Sequence, residues 1–162
     1  MPIVLSRIDD RLIHGQIVEG WLRGIQADCI IVVSDEVAKD KMQQTLLSMA
    51  APTHIKVKCL SIFSGSEKLQ DGSFEEDNVL LLFSCPQDVL SLVKSGVGLK
   101  SVNVGGMHYV TGKKQILRNL SIDESDVAAL KELNSLGIEL EGRVLPNDER
   151  ISIIDVLNKG IR

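Results

Sequence analysis

With 162 residues and an ordinary globular composition, 44% apolar and 25% charged, the chain is expected to form a single domain over residues 1–162. Its formal net charge of −4 and the lack of a basic stripe argue against nucleic acid as the main partner. No apolar run approaches the ~20 residues of a membrane-spanning helix, and the charged residues from Arg7 to Arg11 exclude a signal peptide, which together predict a cytoplasmic protein.

Strand patterns and helix patterns alternate from the first residues onward. Met1 to Ile8 predicts a strand, and the apolar spacing from Ile17 to Ile25 predicts a helix. The β-branched run from Cys29 to Val33 is typical of a strand buried on both faces, and either Ser34 or Asp35 can cap the helix that follows. The side chains that fall on one face of that helix are Ala38, Met42, Thr45, Leu46 and Met49.

The middle of the chain continues the alternation. Residues 55–62 alternate as in a half-buried strand, and the polar stretch 64–74 indicates at best a short helix. Asn78 to Phe83 predicts another buried strand. Pro86 suits the first turn of the next helix, which closes at Gly96.

The last third adds two strands, a short extended segment and two helices. Ser101 to Val104 predicts a short strand, and Ile116 to Leu120 an extended segment. Ser121 to Glu124 predicts a capping box at the start of a helix, with Ser121 as the N-cap. Residues 138–145 indicate a last main strand, and residues 151–157 a final helix.

This alternation predicts an α/β fold, an open, mainly parallel twisted sheet with helices on both faces and room for one antiparallel edge strand. Ligands of such sheets bind at the carboxyl ends of the strands. The loops at that edge would be 9–15, 34–37, 84–86 and 105–112. The arrangement could bring the first loop beside Gly105 and Gly106, although the sequence alone leaves this open.

The first of these loops carries the strongest candidate for chemistry. Two arginines, two aspartates and a histidine fall within eight residues, from Arg7 to His14. A neutral imidazole can accept a phosphoryl group and pass it on, because the nitrogen–phosphorus bond is labile. Gly15 would allow close approach and begin a helix whose free amides favour an anion. The alternative, a histidine that only hydrogen-bonds within the loop, stays open.

The charged neighbours of His14 suit a phosphate. Arg7 and Arg11 could hold phosphate oxygens, or pair with the adjacent aspartates, or do both. Asp10 is our choice for the carboxylate that orients the imidazole of His14. Gly106 could present its amide to an anion, although a tight turn with positive φ explains the Gly-Gly pair equally well.

Other reactive residue types have simpler explanations. Cys29, Cys59 and Cys85 are predicted to be buried free thiols, because they lie in or beside apolar runs. No Cys/His spacing indicates a metal site. His54 and His108 are predicted to be surface or loop residues. Trp21, on an apolar helical face, is predicted to belong to the core.

The segment from Arg7 to Gln16, with Trp21 downstream, resembles the signature of the IIB component of the mannose/fructose/sorbose class of the bacterial sugar phosphotransferase system. The resemblance spans nearly the whole chain, and its first motif is long and specific. Further segments resemble the family in the same order: Ser34-Asp35-Glu36-Val37-Ala38, Met49-Ala50-Ala51-Pro52, Asn103-Val104-Gly105-Gly106-Met107-His108 and Pro146-Asn147-Asp148.

The resemblance implies a phosphotransferase in which His14 accepts a phosphoryl group at Nδ1 from a phosphohistidine of the IIA component. The group then passes to a sugar carried through the IIC/IID membrane complex, so that the chain meets the membrane only through its partners. Arg11 and Asp10 match family positions beside the phosphohistidine, and neither a metal nor an organic cofactor is implied. Transfer between two such carriers further predicts that His14 is accessible.

Two points and two alternatives stay open at this stage. The acceptor could be mannose, fructose, sorbose or an amino sugar, and a homodimer is compatible with the sequence. One alternative is a IIB-like module whose phosphorylated state regulates a partner without feeding transport. A small nucleotide-binding α/β protein is disfavoured, because the Gly-x-Gly-x-x-Gly and Walker motifs are missing.

Overall fold

The computed structural model describes residues 3–160, and Met1 and Pro2 of the predicted first strand lie outside this range, as do residues 161 and 162 of the predicted domain. The strands are β1 (Ile3–Asp9), β2 (Cys29–Val33), β3 (Lys56–Leu60), β4 (Val79–Phe83), β5 (Ser101–Gly106), β6 (Lys114–Leu117), β7 (Leu120–Ile122), β8 (Glu139–Gly142) and β9 (Ile151–Ser152). The helices are α1 (Leu22–Ile25), α2 (Asp35–Ala38), α3 (Lys41–Ala50), α4 (Ile62–Gln70), α5 (Pro86–Lys94), α6 (Glu124–Ser135) and α7 (Ile153–Gly160), and a π-helical segment, Ile17–Trp21, leads into α1.

The main sheet has the strand order β3-β2-β4-β1-β5-β8-β9. Every neighbouring pair is parallel except β8 and β9, which pair antiparallel at one edge. The predicted fold class, a mainly parallel α/β sheet with one antiparallel edge strand, is therefore confirmed. Strands β6 and β7 form a separate antiparallel hairpin.

The sheet separates two apolar cores, because successive side chains of a strand point to opposite faces. Along β2, Ile31 belongs to one core and Ile30 and Val32 to the other. Helices α4 to α7 cover the first face, and the π-helical segment with α1, α2 and α3 covers the second. Both faces of β2 and β4 are fully buried, which explains why these strands are the clearest in the sequence.

The helix predicted after β2 is two helices. Ser34 caps α2 by accepting from the Val37 amide, and the Asp40 side chain caps α3. The predicted apolar face is wrong, because Met42 and Met49 are about three-quarters exposed. The inward face of α3 is formed by Leu47 with Gln44, whose amide donates to the last carbonyls of α2. A polar side chain on the buried face cannot be recognised from apolar spacing.

The capping box of α6 lies two residues later than predicted. Ser121 belongs to β7, and Asp123 is the N-cap, exchanging hydrogen bonds with Asp126. Pairing of β7 with β6 keeps residues 120–122 extended, so the helix can begin only after Ile122. The C-terminal glycine, Gly137, has the positive φ of +87° that such a position favours.

Three other boundaries differ from the predicted ones. Helix α4 begins at Ile62, inside the predicted strand 55–62, because the Ser61 hydroxyl caps it. Strand β8 ends at Gly142, and the chain beyond it turns back toward β1. Ile151 belongs to the edge strand β9 and precedes the last helix. Among residues 3–160, no helix is long and apolar enough to cross a membrane.

Candidate functional site

The last residue of β1, Asp9, lies at the centre of the predicted charged loop. Its side chain is fully buried and accepts hydrogen bonds from Arg7 Nη2 at 3.1 Å, the Arg11 amide at 3.1 Å and His14 Nε2 at 2.9 Å. Burial by itself raises the pKa of Asp9, but the hydrogen bond and charge of His14, the Arg11 amide and Arg7 outweigh it and lower the pKa to about 2. Asp9 is therefore an ionised carboxylate shared by the loop and the strand.

The contact with Asp9 determines which nitrogen of His14 is nucleophilic. An ionised carboxylate only accepts, so the ring nitrogen that faces it, Nε2, carries the proton. Nδ1 then carries the lone pair, which accepts a long hydrogen bond of 3.3 Å from the backbone amide of Gln16. The His14 side chain is 15% exposed, so the predicted accessibility is met only in part.

The prediction that Asp10 orients this imidazole is wrong, because Asp10 and Asp9 point in opposite directions from the end of β1. The Asp10 carboxylate accepts from the His108 amide at 2.7 Å and contacts His108 Nδ1 at 2.5 Å. The Asp10 amide donates to the Gly106 carbonyl at 3.1 Å. The charged loop and the segment after β5 therefore do meet, as the sheet topology allows.

The loop backbone is fixed by two apolar residues. Leu12 has a φ of +59°, a left-handed conformation that is unfavourable for leucine. Its amide donates to the Asp9 carbonyl at 2.9 Å, and its side chain is buried beside Ile13 in the core of the second face. Burial of Leu12 and Ile13 thus holds a strained turn that carries Arg11 and His14.

Arg7 is not available to a phosphate, and its predicted phosphate-binding role is wrong. The side chain is fully buried, since Arg7 is part of β1 between β4 and β5. Its guanidinium donates to Asp9, to the Asn103 side chain and to the carbonyls of Arg143 and Val144. Burial lowers the pKa of Arg7, and the neighbouring Asp9 charge opposes that shift. Arg7 is a buried cation that supports Asp9.

One of the two glycines at the end of β5 makes room for this buried cation. Gly105 and Gly106 belong to β5 and do not have positive φ, so the predicted tight turn is wrong. A Cβ atom on Gly105 would lie 2.0 Å from Arg7 Cζ. This distance is shorter than any contact between two non-bonded carbon atoms. Glycine is therefore required at position 105 by the guanidinium that packs across it.

A second layer surrounds Arg7. Its guanidinium lies 5.1 Å from the ring of Trp21, and that of Arg143 lies 5.0 Å from the same ring. Glu141 accepts two of the three guanidinium hydrogen bonds of Arg143, each of 2.9 Å, and it also accepts one from the Asn103 side chain. Trp21 is 2% exposed, which confirms its predicted place in the core.

Three residues of this layer, Asn103, Glu141 and Arg143, have no role predicted from local sequence. They lie about 100 residues or more from Arg7 in the chain, and only the pairing of β1 with β5 and of β5 with β8 brings them together. A signal was present in the charged and polar residues within predicted strands, because such residues are buried only with partners.

Arg11 stands at the edge of an open cleft of about 720 Å³. Its side chain is 39% exposed, and Nη2 donates to Gln16 Oε1 at 2.8 Å. The cleft lies between the charged loop, the segment after β5 and the β6–β7 hairpin. The polar residues that line it are Arg11, Gln16, His108, Tyr109, Gln115, Arg118, Asn119, Ser121 and Asp148.

The other predicted site residues fall near this cleft without unusual strain. A Cβ atom on Gly15 would meet no atom within 4 Å, so the backbone beside His14 is open. Gly106 lines the cleft directly.

The cysteines are free thiols. Cys29 is buried as predicted, whereas Cys59 and Cys85 are only partly buried. Within residues 3–160, no three His, Cys, Asp or Glu side chains converge as metal ligands would.

Comparison with known proteins assigns this arrangement to a family. Residues 3–161 match the family model of the PTS system sorbose subfamily IIB component, where PTS denotes the phosphotransferase system. The PTS system fructose-specific EIIB component of Bacillus subtilis (strain 168) is 41% identical, over 97% of this chain and 96% of that protein.

A longer relative and a solved structure support the same family assignment. The PTS system mannose-specific EIIAB component of Escherichia coli (strain K12) is 42% identical over 98% of this chain and 49% of that protein. The crystal structure of the IIBSor domain of the sorbose permease from Klebsiella pneumoniae superposes with a TM-score of 0.94 at 39% identity, covering 98% of each chain. The chain therefore belongs to the sorbose-subfamily IIB components of the phosphotransferase system.

Proposed function

We propose that the chain is a cytoplasmic phosphoryl carrier in which His14 Nδ1 accepts a phosphoryl group from a phosphohistidine of a IIA component. The phosphorylated chain then transfers the group to a sugar taken up through a IIC/IID membrane complex. The observation that carries the proposal is the hydrogen bond of 2.9 Å between His14 Nε2 and buried Asp9, which leaves Nδ1 as the nucleophile.

The chemistry of the first transfer follows from this geometry. The Nδ1 lone pair attacks phosphorus as the nitrogen–phosphorus bond of the donor breaks, and the ring of His14 becomes a cation with its proton on Nε2. The Asp9 carboxylate stabilises that cation where it forms, in a buried environment. Neither a metal nor an organic cofactor takes part in the proposed step.

Arg11 is the proposed electrostatic partner of the transferring group. Its guanidinium is partly exposed on the cleft and donates to the Gln16 side chain and to Asp9. The backbone amide of Gln16 donates to His14 Nδ1. A permanently charged planar group suits the equatorial oxygens of a phosphoryl group in transfer. The open backbone at Gly15 and the cleft-lining Gly106 complete the proposed phosphate site. Asp10 is proposed to act by holding the rim of the cleft.

The names of relatives support the proposed donor and acceptor. A mannose-specific EIIAB component contains a region similar to this chain within a protein twice as long, which is consistent with a IIA partner. Fructose, sorbose, mannose and N-acetylgalactosamine appear in the names of relatives. We propose a sugar of this group as the acceptor.

The decisive experiment replaces the proposed nucleophile. His14→Ala should accept no phosphoryl group from a phosphorylated IIA component, whereas the wild-type chain should gain an acid-labile, base-stable label on Nδ1. Incubation with radiolabelled phospho-IIA measures the label, and nuclear magnetic resonance of the phosphorylated chain identifies the nitrogen.

His54→Gln is the matched control, because His54 is an exposed histidine in the loop before β3. This variant should be labelled like the wild type. Labelling of His14→Ala at the wild-type rate would show that another residue is the acceptor.

A further inference from the structure

A second imidazole–carboxylate pair lies on the rim of the cleft. His108 and Asp10 have side chains that are 58% and 32% exposed. Asp10 contacts the backbone amide of His108 at 2.7 Å and its ring nitrogen Nδ1 at 2.5 Å, so the residue is held at two points, one of them on the ring. The described residues include no such two-point contact for the remote His54.

The contact with Asp10 determines the state of the His108 ring. A carboxylate that accepts at Nδ1 keeps the proton there, so the lone pair of the neutral ring is on Nε2. No hydrogen bond or ion pair joins this Nε2 to any residue in the range 3–160. The nitrogen is therefore free to act as a base toward a molecule in the cleft.

His108 shares this cleft with the residues that surround the nucleophile of His14. Arg11 and Gln16 line the cleft together with His108, and the Gln16 amide lies 3.3 Å from His14 Nδ1. Asp9 and Asp10 are adjacent in the chain, and each contacts one imidazole. The two rings are thus held by one turn of backbone at the same edge of the sheet.

The two transfers of the proposed function differ in their need for a base. In the transfer from a phosphohistidine to His14, the phosphoryl group leaves one ring nitrogen and bonds to another, and no proton has to leave the attacking nitrogen. Transfer from His14 to a sugar uses a hydroxyl group, whose proton must be removed as its oxygen bonds to phosphorus. Asp9 cannot remove that proton, because it is buried and already accepts from His14 Nε2.

We infer that His108 is the general base of the second transfer, an inference that rests on the proposed function. The sugar oxygen bonds to phosphorus as the bond to His14 Nδ1 breaks, and the electron pair of that bond returns to Nδ1. The hydroxyl proton moves to His108 Nε2 and then to water. Asp10 positions the ring of His108 and stabilises its cation. An exposed rim is where an acceptor held by another protein could be reached.

The test measures the two half-reactions separately in His108→Gln. Charging of the variant by phospho-IIA should stay within about two-fold of the wild type. Discharge into membrane vesicles that contain the IIC and IID proteins should slow by about 100-fold or more, the usual contribution of a general base. Fructose, sorbose, mannose and N-acetylgalactosamine are offered in turn, and sugar phosphate is quantified.

Two further variants separate catalysis from support of the fold. His108→Ala with added imidazole should recover part of the sugar phosphate yield, which a purely structural role would not allow. His54→Gln should discharge like the wild type. Equal discharge by His108→Gln and wild type, or equal slowing of charging and discharge, would overturn the inference.

Failure of the proposed function gives a different result. If wild-type chain is never charged, the carrier function itself fails. If the wild type is charged but none of the sugars discharges it, the sugar-acceptor half of the proposal and the role of His108 fail together, while His14 remains a phosphoryl acceptor.

Discussion

One carboxylate, that of Asp9, decides the chemistry of the neighbouring imidazole. Both its oxygens are occupied, one by the Arg11 amide and the other by His14 and Arg7. Asp10, the next residue, carries the same functional group but contacts a different ring, because side chains alternate at the end of a strand. The direction of a side chain, rather than its distance along the chain, assigns the roles of the two aspartates.

Asp9→Asn should slow charging of His14 by phospho-IIA by about 100-fold or more. An asparagine amide can donate to Nε2 and move the ring proton to Nδ1, and it removes the charge that stabilises the ring cation. Charging rates measured with phospho-IIA, at a temperature where both chains are folded, test this expectation. Asp10→Asn, which leaves the Asp9 contact intact, is the control and should charge within about two-fold of the wild type. Equal rates in all three proteins would contradict the role assigned to Asp9.

Strands β1 and β5 fit together through the absence of a side chain. The guanidinium of Arg7 packs across the backbone of Gly105, and no other residue type leaves room for it. The glycine is required only because the two strands pair, so neither strand's sequence alone explains it. Without knowledge of that pairing, the Gly-Gly pair suggested a turn.

Gly105→Ala should destabilise the fold by about 3 kcal/mol, the upper range for overpacking in a core. The added methyl would overlap Arg7 and displace a guanidinium that bonds four groups. Urea unfolding measures the change in free energy. Gly15→Ala is the matched control, since its methyl would meet no atom within 4 Å, and its stability should change by less than about 1 kcal/mol. Similar losses in the two variants would indicate that steric overlap is not the cause.

Elements that are buried on both faces could be predicted closely, whereas elements that depend on polar side chains could not. The runs of β2 and β4 are apolar throughout, and their predicted limits differ from the observed ones by at most one residue. The break between α2 and α3 depends on Asp40 as a cap, and the start of α6 depends on the β6–β7 hairpin. His14 and Arg11 could be selected as candidate site residues from local charge and from the family motif. Asn103, Glu141 and Arg143 could not, because their contacts are set by strand order.

At the scale of the whole molecule, the sheet places Asp9, Asp10 and the two imidazoles they contact at the carboxyl ends of β1 and β5. The buried ionised Asp9 couples that edge to global stability. Its folded-state pKa of about 2 lies below its ordinary value of 3.8, so the unfolded chain binds the proton more readily. The carboxylate therefore stabilises the fold above about pH 4, and this contribution is lost as the pH falls toward 2.

Acid should accordingly reduce the free energy of unfolding of the wild type more than that of Asp9→Asn. The lowered pKa of Asp9 corresponds to a loss of about 2 kcal/mol in the free energy of unfolding between pH 5 and pH 2. Asp126, whose pKa is also lowered, adds to the acid sensitivity of both proteins, and Asp88, whose pKa is raised by burial, opposes it. Urea unfolding across this pH range is the measurement. Parallel curves for the two proteins would contradict an ionised Asp9 in the folded state.

The buried guanidinium of Arg7 restricts whether the charged loop can be transferred into another protein by itself. Every group on Asp9 comes from residues 7–14, so the loop looks like a portable peptide. Arg7, however, is held by Asn103 and by the carbonyls of Arg143 and Val144, more than 90 residues away. A graft of the loop alone would expose or unpair this cation. The smallest transplantable unit is the loop together with β5 and the segment after β8, and substitutions in these three parts are expected to be inherited together.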